Sequence, residues 1–206
     1  MDTEYHLYMK KRYRRMAPVY DAFDLLISGI RDKVVDLADP GPGLKVLDVA
    51  TGTGKQAFAF AKRGCQVTGI DLSEDMLRIA RRKNRYENAT FEVSDATDMP
   101  FGDNEFDVAT VSLALHEMSS AVREKVVLEM LRVTRPGGTI IAVDYSLSEN
   151  NPLKRIIDFL IKSFESKHYP EFAKLKLASV FKQFGIEIEN EVPVLLGTVI
   201  ILKGRN

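Results

Sequence analysis

The chain has 206 residues, 45% of them hydrophobic and 28% charged, which suits one α/β domain with a small addition. Its 29 basic and 29 acidic side chains cancel, so the net charge gives no support for a nucleic-acid partner. No apolar run approaches the roughly 18 residues that span a bilayer, and the N-terminal residues lack a signal-peptide core, so we expect a cytoplasmic protein. One cysteine, Cys65, and three scattered histidines predict neither an internal disulfide nor a bound metal.

Residues 1–39 are expected to form a helical lid in two or three pieces. Their basic run, residues 10–15, is interpreted as a solvated helix face that could also touch an anionic membrane surface weakly. The sequence Asp39-Pro40-Gly41-Pro42-Gly43 then stops the helix and marks a domain boundary. We expect the main domain over residues 43–206, with residues 150–185 as a helical insertion that covers the substrate and whose second helix runs over about residues 170–184.

A buried strand, a glycine turn and the start of a helix follow one another over residues 45–56. Gly52 and Gly54 allow the chain to turn with positive φ, and the helix that follows points free N–H groups at a ligand above the turn. Asp48, at the strand end, would repel a pyrophosphate but favour a ligand that carries an ammonium and a sulfonium. The same glycines fit the dinucleotide fingerprint, so an NAD-dependent oxidoreductase stays open as an alternative.

Strand and helix patterns alternate from residue 45 onward, which predicts a parallel sheet with right-handed crossovers. The second strand ends at Asp71, where an acid suits the two hydroxyls of a ribose. Asp95 follows the third strand and could accept from an adenine amino group, with Ala96 leaving room for the ring; an ordinary loop acid is the alternative. The last two strand patterns, residues 186–192 and 197–202, are expected to pair as a hairpin that closes the sheet.

Taken in order, these features resemble the class I S-adenosylmethionine-dependent methyltransferases over residues 43–146. The set comprises the strand-end acid, the glycine turn, Asp71, Asp95-Ala96 and the turn at residues 136–138. Ala50 replaces the family's usual glycine, and residues 17–21 match an alanine-x-x-tyrosine-aspartate pattern. Both traits are similar to the ubiquinone/menaquinone biosynthesis C-methyltransferases.

The resemblance implies a doubly wound, mostly parallel seven-stranded sheet of the Rossmann-like kind, with a C-terminal antiparallel strand and a helical lid. It also implies S-adenosylmethionine as cofactor, with S-adenosylhomocysteine as product. The cofactor-binding residues that follow from the motifs and the resemblance are Asp48, Ala50, Thr51, Gly52, Thr53, Gly54, Asp71, Leu72, Met76, Asp95, Ala96 and Ser112.

Two catalytic candidates remain outside the cofactor motifs. Tyr20 would close over the cofactor by resemblance, and His116 is the leading candidate for a general base. A histidine bonded to backbone with no chemical role is the alternative for His116. Because the quinone enzymes carry arginine and asparagine where this chain has His116 and Glu117, the acceptor is left as a small molecule, either a quinol or another apolar or aromatic metabolite. A methyltransferase-like module that binds without catalysis stays open as well.

Overall fold

The computed structural model describes residues 29–146 and 168–206. Most of the predicted lid with its basic run, the catalytic candidate Tyr20 and much of the predicted insertion therefore lie outside the described residues. No helix within the described ranges is long and apolar enough to cross a membrane. The same residues contain no group of three or more histidine, cysteine, aspartate or glutamate side chains that could hold a metal ion.

Seven strands form one sheet in the order β3-β2-β1-β4-β5-β7-β6. The pairs among β1 to β5 are parallel, whereas β7 is antiparallel to both β5 and β6. The predicted α/β fold with a closing C-terminal hairpin is confirmed. The strands are β1 Lys45–Val49, β2 Gln66–Asp71, β3 Ala89–Val93, β4 Phe106–Ser112, β5 Thr134–Tyr145, β6 Glu187–Val194 and β7 Val199–Arg205.

Six helices accompany the sheet in the described part of the chain. They are α1 over residues 29–38, α2 Lys55–Lys62, α3 Glu74–Lys83, α4 Ser120–Val133, α5 Tyr169–Phe172 and α6 Leu177–Gln183. The sequence predicted one helix over residues 170–184, and that prediction was wrong because the chain breaks between α5 and α6. Phe172 and Leu177 both enter the same hydrophobic cluster, yet five residues of one straight helix would place them about 140° apart.

The sheet separates two hydrophobic clusters. Along β1, Val46 packs on the side of α1, α2 and α3, whereas Leu47 and Val49 pack on the side of α4, α5 and α6. This arrangement follows from the alternation of side chains along a strand, and burial on both faces explains why the strand is almost continuously apolar. Asp48 therefore lies on the face of α1 and α2, at the carboxyl end of the sheet.

The start of α3 is fixed by a side-chain cap. The hydroxyl of Ser73 accepts from the backbone N–H of Met76, and Glu74 and Asp75 occupy the first turn, where the helix dipole favours acids. Such a cap contributes about 1 kcal/mol. It holds the segment between β2 and α3 at the carboxyl edge of the sheet.

Candidate functional site

One cavity lies over the carboxyl ends of β1, β2 and β4, and ten of the twelve predicted cofactor residues line it. Those ten come from four separate segments of the chain, and the fold places these segments around one cavity. They are Asp48, Ala50, Thr51, Gly52, Thr53, Asp71, Leu72, Met76, Ala96 and Ser112.

Gly54 and Asp95 are not part of that lining. Gly54 has a φ of 82°, and a Cβ built there would lie 2.9 Å from ring atoms of both Phe58 and Phe91, so this glycine permits close packing under the turn. Asp95 Oδ1 accepts from the backbone N–H of Thr97 at 2.9 Å and from its hydroxyl at 2.8 Å. That bond pattern is typical of an aspartate that shapes its own loop.

Sequence reasoning missed several other lining residues, among them polar side chains from the first two helices. Arg31 reaches the cavity from α1, and Gln56 from the first turn of α2, where its side-chain amide donates to the Arg31 carbonyl at 3.4 Å. Nothing in the pattern around residue 31 marked it, because its place depends on how α1 packs on the sheet. The remaining lining residues are Ile30, Lys55, Ile70, Ser73, Ser94, Leu113, Ala114, Met118 and Val143.

Asp71 connects the glycine turn to the start of α3. Its Oδ2 accepts from the backbone N–H of Gly52 at 2.8 Å, and its Oδ1 accepts from the backbone N–H of Ser73 at 2.8 Å. Burial raises the pKa of this carboxyl, and the two N–H donors oppose that shift. Because each carboxylate oxygen has two lone pairs, both can still accept from hydroxyl groups of a ligand.

Asp48 is almost fully buried, with 1% of its surface exposed. Burial raises its pKa to about 7, while the hydroxyl of Thr51, which donates to Oδ2 at 2.5 Å, opposes that shift. The backbone N–H of Ala57 and the charge of Arg31 also favour the ionised form. A cation bound in the cavity would complete this set of partners, because it would offset the cost of a buried negative charge.

Two lining residues other than glycine have left-handed backbone conformations. Ala50, after β1, has a φ of 53°, and Leu113, after β4, has the same value. Residues with a Cβ adopt this region at a cost of roughly 1–2 kcal/mol, and such strain is concentrated at functional sites. The position where the family usually has glycine therefore keeps the conformation that glycine allows.

Two hydroxyl oxygens on β4 are buried without a hydrogen-bond partner among the described residues. They are Oγ1 of Thr110 and Oγ of Ser112. Thr110 lies opposite Asp48 in the parallel register, and Ser112 lies two residues further toward the cavity and lines it. An unpaired buried hydroxyl at this edge fits a site that a polar ligand completes.

His116 lies in a short 3₁₀ turn, Leu115–Glu117, between two cavity-lining residues, but it is not itself on the lining. Its ring nitrogen Nδ1 lies 2.7 Å from Oδ1 of Asp144, and its Nε2 lies 4.0 Å from Oε1 of Glu117. The ring packs edge-on against Tyr145, with 4.8 Å between centroids. The histidine is thus 2% exposed and held by a carboxylate, a partner that the sequence pattern did not indicate.

Arg123 of α4 holds this turn through hydrogen bonds to its backbone. Its guanidinium donates to the carbonyls of Leu115 and Met118 at 3.3 and 3.0 Å, and it lies 5.0 Å from the centre of the Phe172 ring. Burial lowers the pKa of Arg123, whereas the charges of Glu171 and Asp144 raise it. The turn is therefore anchored to α4 and α5 by a buried cation.

Residues 46–138 match the family described as methyltransferase domain. The chain belongs to the class I S-adenosylmethionine-dependent methyltransferases, and S-adenosylmethionine is the cofactor of that family.

Two curated relatives indicate the branch. A demethylmenaquinone methyltransferase from Renibacterium salmoninarum is 38% identical over 146 residues, which are 68% of this chain and 60% of the relative. The ubiquinone/menaquinone biosynthesis C-methyltransferase UbiE of Idiomarina loihiensis is 32% identical over 159 residues, which are 71% of this chain and 62% of the relative. Each match therefore spans less than two thirds of the relative's length.

The fold is also shared with solved methyltransferase structures. The crystal structure of a methyltransferase from Aquifex aeolicus superposes with a TM-score of 0.65 at 22% identity, and the match covers 84% of this chain and 88% of that chain. At this level of identity the likeness concerns the fold alone.

Proposed function

We propose that this methyltransferase transfers the methyl group of S-adenosylmethionine to a small aromatic acceptor, and that the acceptor is a quinol such as the reduced form of demethylmenaquinone. The observation that carries the proposal is the cavity at the carboxyl edge of the sheet, with Asp48 and Asp71 in its wall. The names of the curated relatives support the choice of a quinol. A cytoplasmic location stays a prediction, as does the absence of a nucleic-acid partner.

The charges around the cavity fit the cofactor from end to end. Asp71 would accept from the ribose hydroxyls, while Leu72, Met76 and Ala96, which line the same cavity, would hold the adenine. Asp48 and Arg31, of opposite charge, lie at one cavity and interact electrostatically, which suits the ammonium and carboxylate of an amino acid group. The unpaired hydroxyl of Ser112 lies in the same wall.

When bound, the cofactor supplies an electrophilic methyl group on a positively charged sulfur. The chain's own residues then hold the acceptor in line and keep water away from it. Tyr145 and Tyr169, whose ring centroids lie 5.8 Å apart, pack edge-on beside His116, and the aromatic character of this group fits a flat acceptor. We assign His116 the role of general base for the acceptor hydroxyl, and Tyr20 stays a prediction for closure of the site.

Thermal unfolding with S-adenosylmethionine, S-adenosylhomocysteine and NAD in parallel tests the cofactor. A ligand at 100 times its dissociation constant adds about 2.7 kcal/mol, which raises the midpoint by several degrees for a chain of this size. We expect a rise with the first two ligands only. Stabilisation by NAD alone would contradict the proposal and favour the oxidoreductase.

Turnover with the reduced form of demethylmenaquinone and labelled S-adenosylmethionine tests the acceptor. Asp71→Asn is the site variant, and Asp107→Asn is its matched control, because Asp107 also accepts through both oxygens but at the amino edge of the sheet. We expect labelled quinol from the wild type and the control only. Cofactor binding without turnover on any quinol or related phenol would favour the non-catalytic module.

A further inference from the structure

Asp144, the next-to-last residue of β5, is fully buried, with 0% of its surface exposed. Its Oδ2 accepts from the backbone N–H of His116 at 3.1 Å, and its Oδ1 lies 2.7 Å from Nδ1 of the same residue. Oδ1 also accepts from the backbone N–H of Tyr145 at 2.8 Å. One carboxylate thus holds both the backbone and the ring of a histidine 28 residues away.

These contacts determine which ring nitrogen carries the proton. Both oxygens of Asp144 accept from backbone N–H groups, which is the pattern of an ionised carboxylate that only accepts. In that arrangement, Nδ1 of His116 is the donor across the short contact to Oδ1. In the neutral ring, Nε2 is then the nitrogen without a proton.

Other contacts hold the turn and pack against the ring of His116. Arg123 fixes the carbonyls on both sides of the turn, and the ring of His116 packs edge-on against Tyr145, Tyr169 and Phe172. On β5 the side chains alternate, so Val143 lines the cofactor cavity while Asp144 points to the opposite face and reaches the turn from there. The carboxylate therefore reaches the site through the residues that it binds, above all through His116.

We propose that Asp144 is a positioning residue that holds His116 with its proton on Nδ1, so that Nε2 takes the proton of the acceptor hydroxyl. This inference rests on the proposed function. In the step, the O–H bond of the quinol breaks, its electron pair stays on the quinol oxygen, and the proton forms a bond to Nε2. The imidazolium that results is stabilised by the carboxylate of Asp144 at Nδ1 and later returns its proton to water.

Nitrogen-15 NMR of the three histidine rings tests the tautomer without any need for turnover. In the wild type, we expect the His116 signals, identified by their loss in His116→Gln, to show the proton on Nδ1. In Asp144→Asn, the ring should change toward the tautomer with the proton on Nε2, because an amide can donate to Nδ1. Asp107→Asn should leave the ring signals unchanged, although Asp107 binds a backbone N–H at 2.8 Å and a side-chain N–H at 2.7 Å.

Kinetics with the reduced form of demethylmenaquinone tests the consequence. We expect Asp144→Asn to lower kcat by about 10- to 1,000-fold, within the contribution of a general base, while the KM for S-adenosylmethionine changes less than about twofold. A merely structural role would change both or neither. If Asp144→Asn does not fold, the tautomer of His116 in the wild type still tests the inference.

A proton on Nε2 in the wild type would overturn the inference, as would an Asp144→Asn protein with unchanged tautomer and unchanged kcat. The failure of the proposed function looks different. In that case no quinol is methylated, while the wild type shows the proton on Nδ1 and Asp144→Asn shifts it, and this result supports Asp144 as the residue that positions His116.

Discussion

Two acids at the carboxyl edge of the sheet show how differently the two halves of the site are built. Asp71, the last residue of β2, accepts from the backbone N–H groups of Gly52 and Ser73. Asp144, near the end of β5, accepts from backbone and also binds the side chain of His116. The cofactor half therefore depends on a local turn that glycine and serine define, whereas the second half depends on one specific pair of side chains that the fold brings together.

Replacement of Asp71 is expected to have the largest effect. Asp71→Ala removes the acceptor of two backbone N–H groups and, on the proposed function, of the ribose hydroxyls, and hydrogen bonds to charged groups contribute about 1.5–3 kcal/mol each. We expect the affinity for S-adenosylhomocysteine, measured by calorimetry, to fall at least about 100-fold.

Asp107→Ala is the control for this change, since it removes a strand-end acid that also binds a backbone N–H but lies away from the cavity. The control should bind S-adenosylhomocysteine as the wild type does. Equal losses in both variants would mean that the affinity falls through general destabilisation and not through the ribose site.

Replacement of His116, in the other half of the site, should lower kcat and leave the affinity for the cofactor unchanged. His116→Gln removes the ring but keeps a polar side chain, so we expect kcat to fall by about 100- to 10,000-fold on a quinol acceptor. Because His116 is not on the lining of the cofactor cavity, the dissociation constant of S-adenosylhomocysteine should stay within about twofold. Weaker cofactor binding with intact kcat would reverse the assignment of the two halves.

Burial of the ionised Asp48 carboxylate should lower the stability of the free protein, and we attribute its presence to cofactor binding. Its pKa lies near 3.8 in the unfolded chain and about 7 in the fold, so the folded state binds more protons between those values and stability falls as the pH rises through this window. With about 1.36 kcal/mol for each unit of pKa, Asp48→Asn should gain about 2–3 kcal/mol relative to the wild type between pH 5 and pH 8. Urea unfolding at both pH values measures this difference.

The same variant should bind S-adenosylmethionine more weakly, because the amide carries no charge to pair with the ammonium. Thr51→Val is a useful comparison. It removes the hydroxyl that donates to Asp48 but keeps the carboxylate. A pH-independent difference in stability between Asp48→Asn and the wild type would show that Asp48 stays ionised in the fold.

The contrast between the two halves also explains what the sequence could predict. Asp48, Gly52 and Asp71 stand at strand ends and turns, and such positions can be located from the hydrophobic pattern alone. Asp144 was missed because it reads as one polar residue inside a buried strand. Its importance comes from a contact with a turn 28 residues earlier. Arg31 was missed for the same reason, since only the packing of α1 places it at the cavity.

The boundaries of α5 and α6 show the same limit of prediction from sequence. The apolar spacing after residue 170 is compatible with one helix, but the positions of Phe172 and Leu177 in the core require a break between α5 and α6. By contrast, the cap at Ser73 was predictable because it depends on residues three apart. Local rules thus predict the sheet and the residues at its carboxyl edge, while long-range packing determines the break between α5 and α6 and the surroundings of His116.

The smallest expected effect concerns the backbone after β1. Ala50 has a φ of 53°, a conformation that costs a residue with a Cβ about 1 kcal/mol, so Ala50→Gly removes this strain. Glycine also increases the entropy of the unfolded chain, which costs about 0.5–1 kcal/mol. We therefore expect a change in the free energy of unfolding of less than about 1 kcal/mol and little change in cofactor affinity.

Leu113→Gly gives the comparison on the other side of the cavity. It has the same φ but loses a large side chain from the cavity wall, so it should be the more destabilising change in thermal unfolding. If Ala50→Gly proved the more destabilising of the two, the methyl group of Ala50 would be a required contact in the cofactor wall.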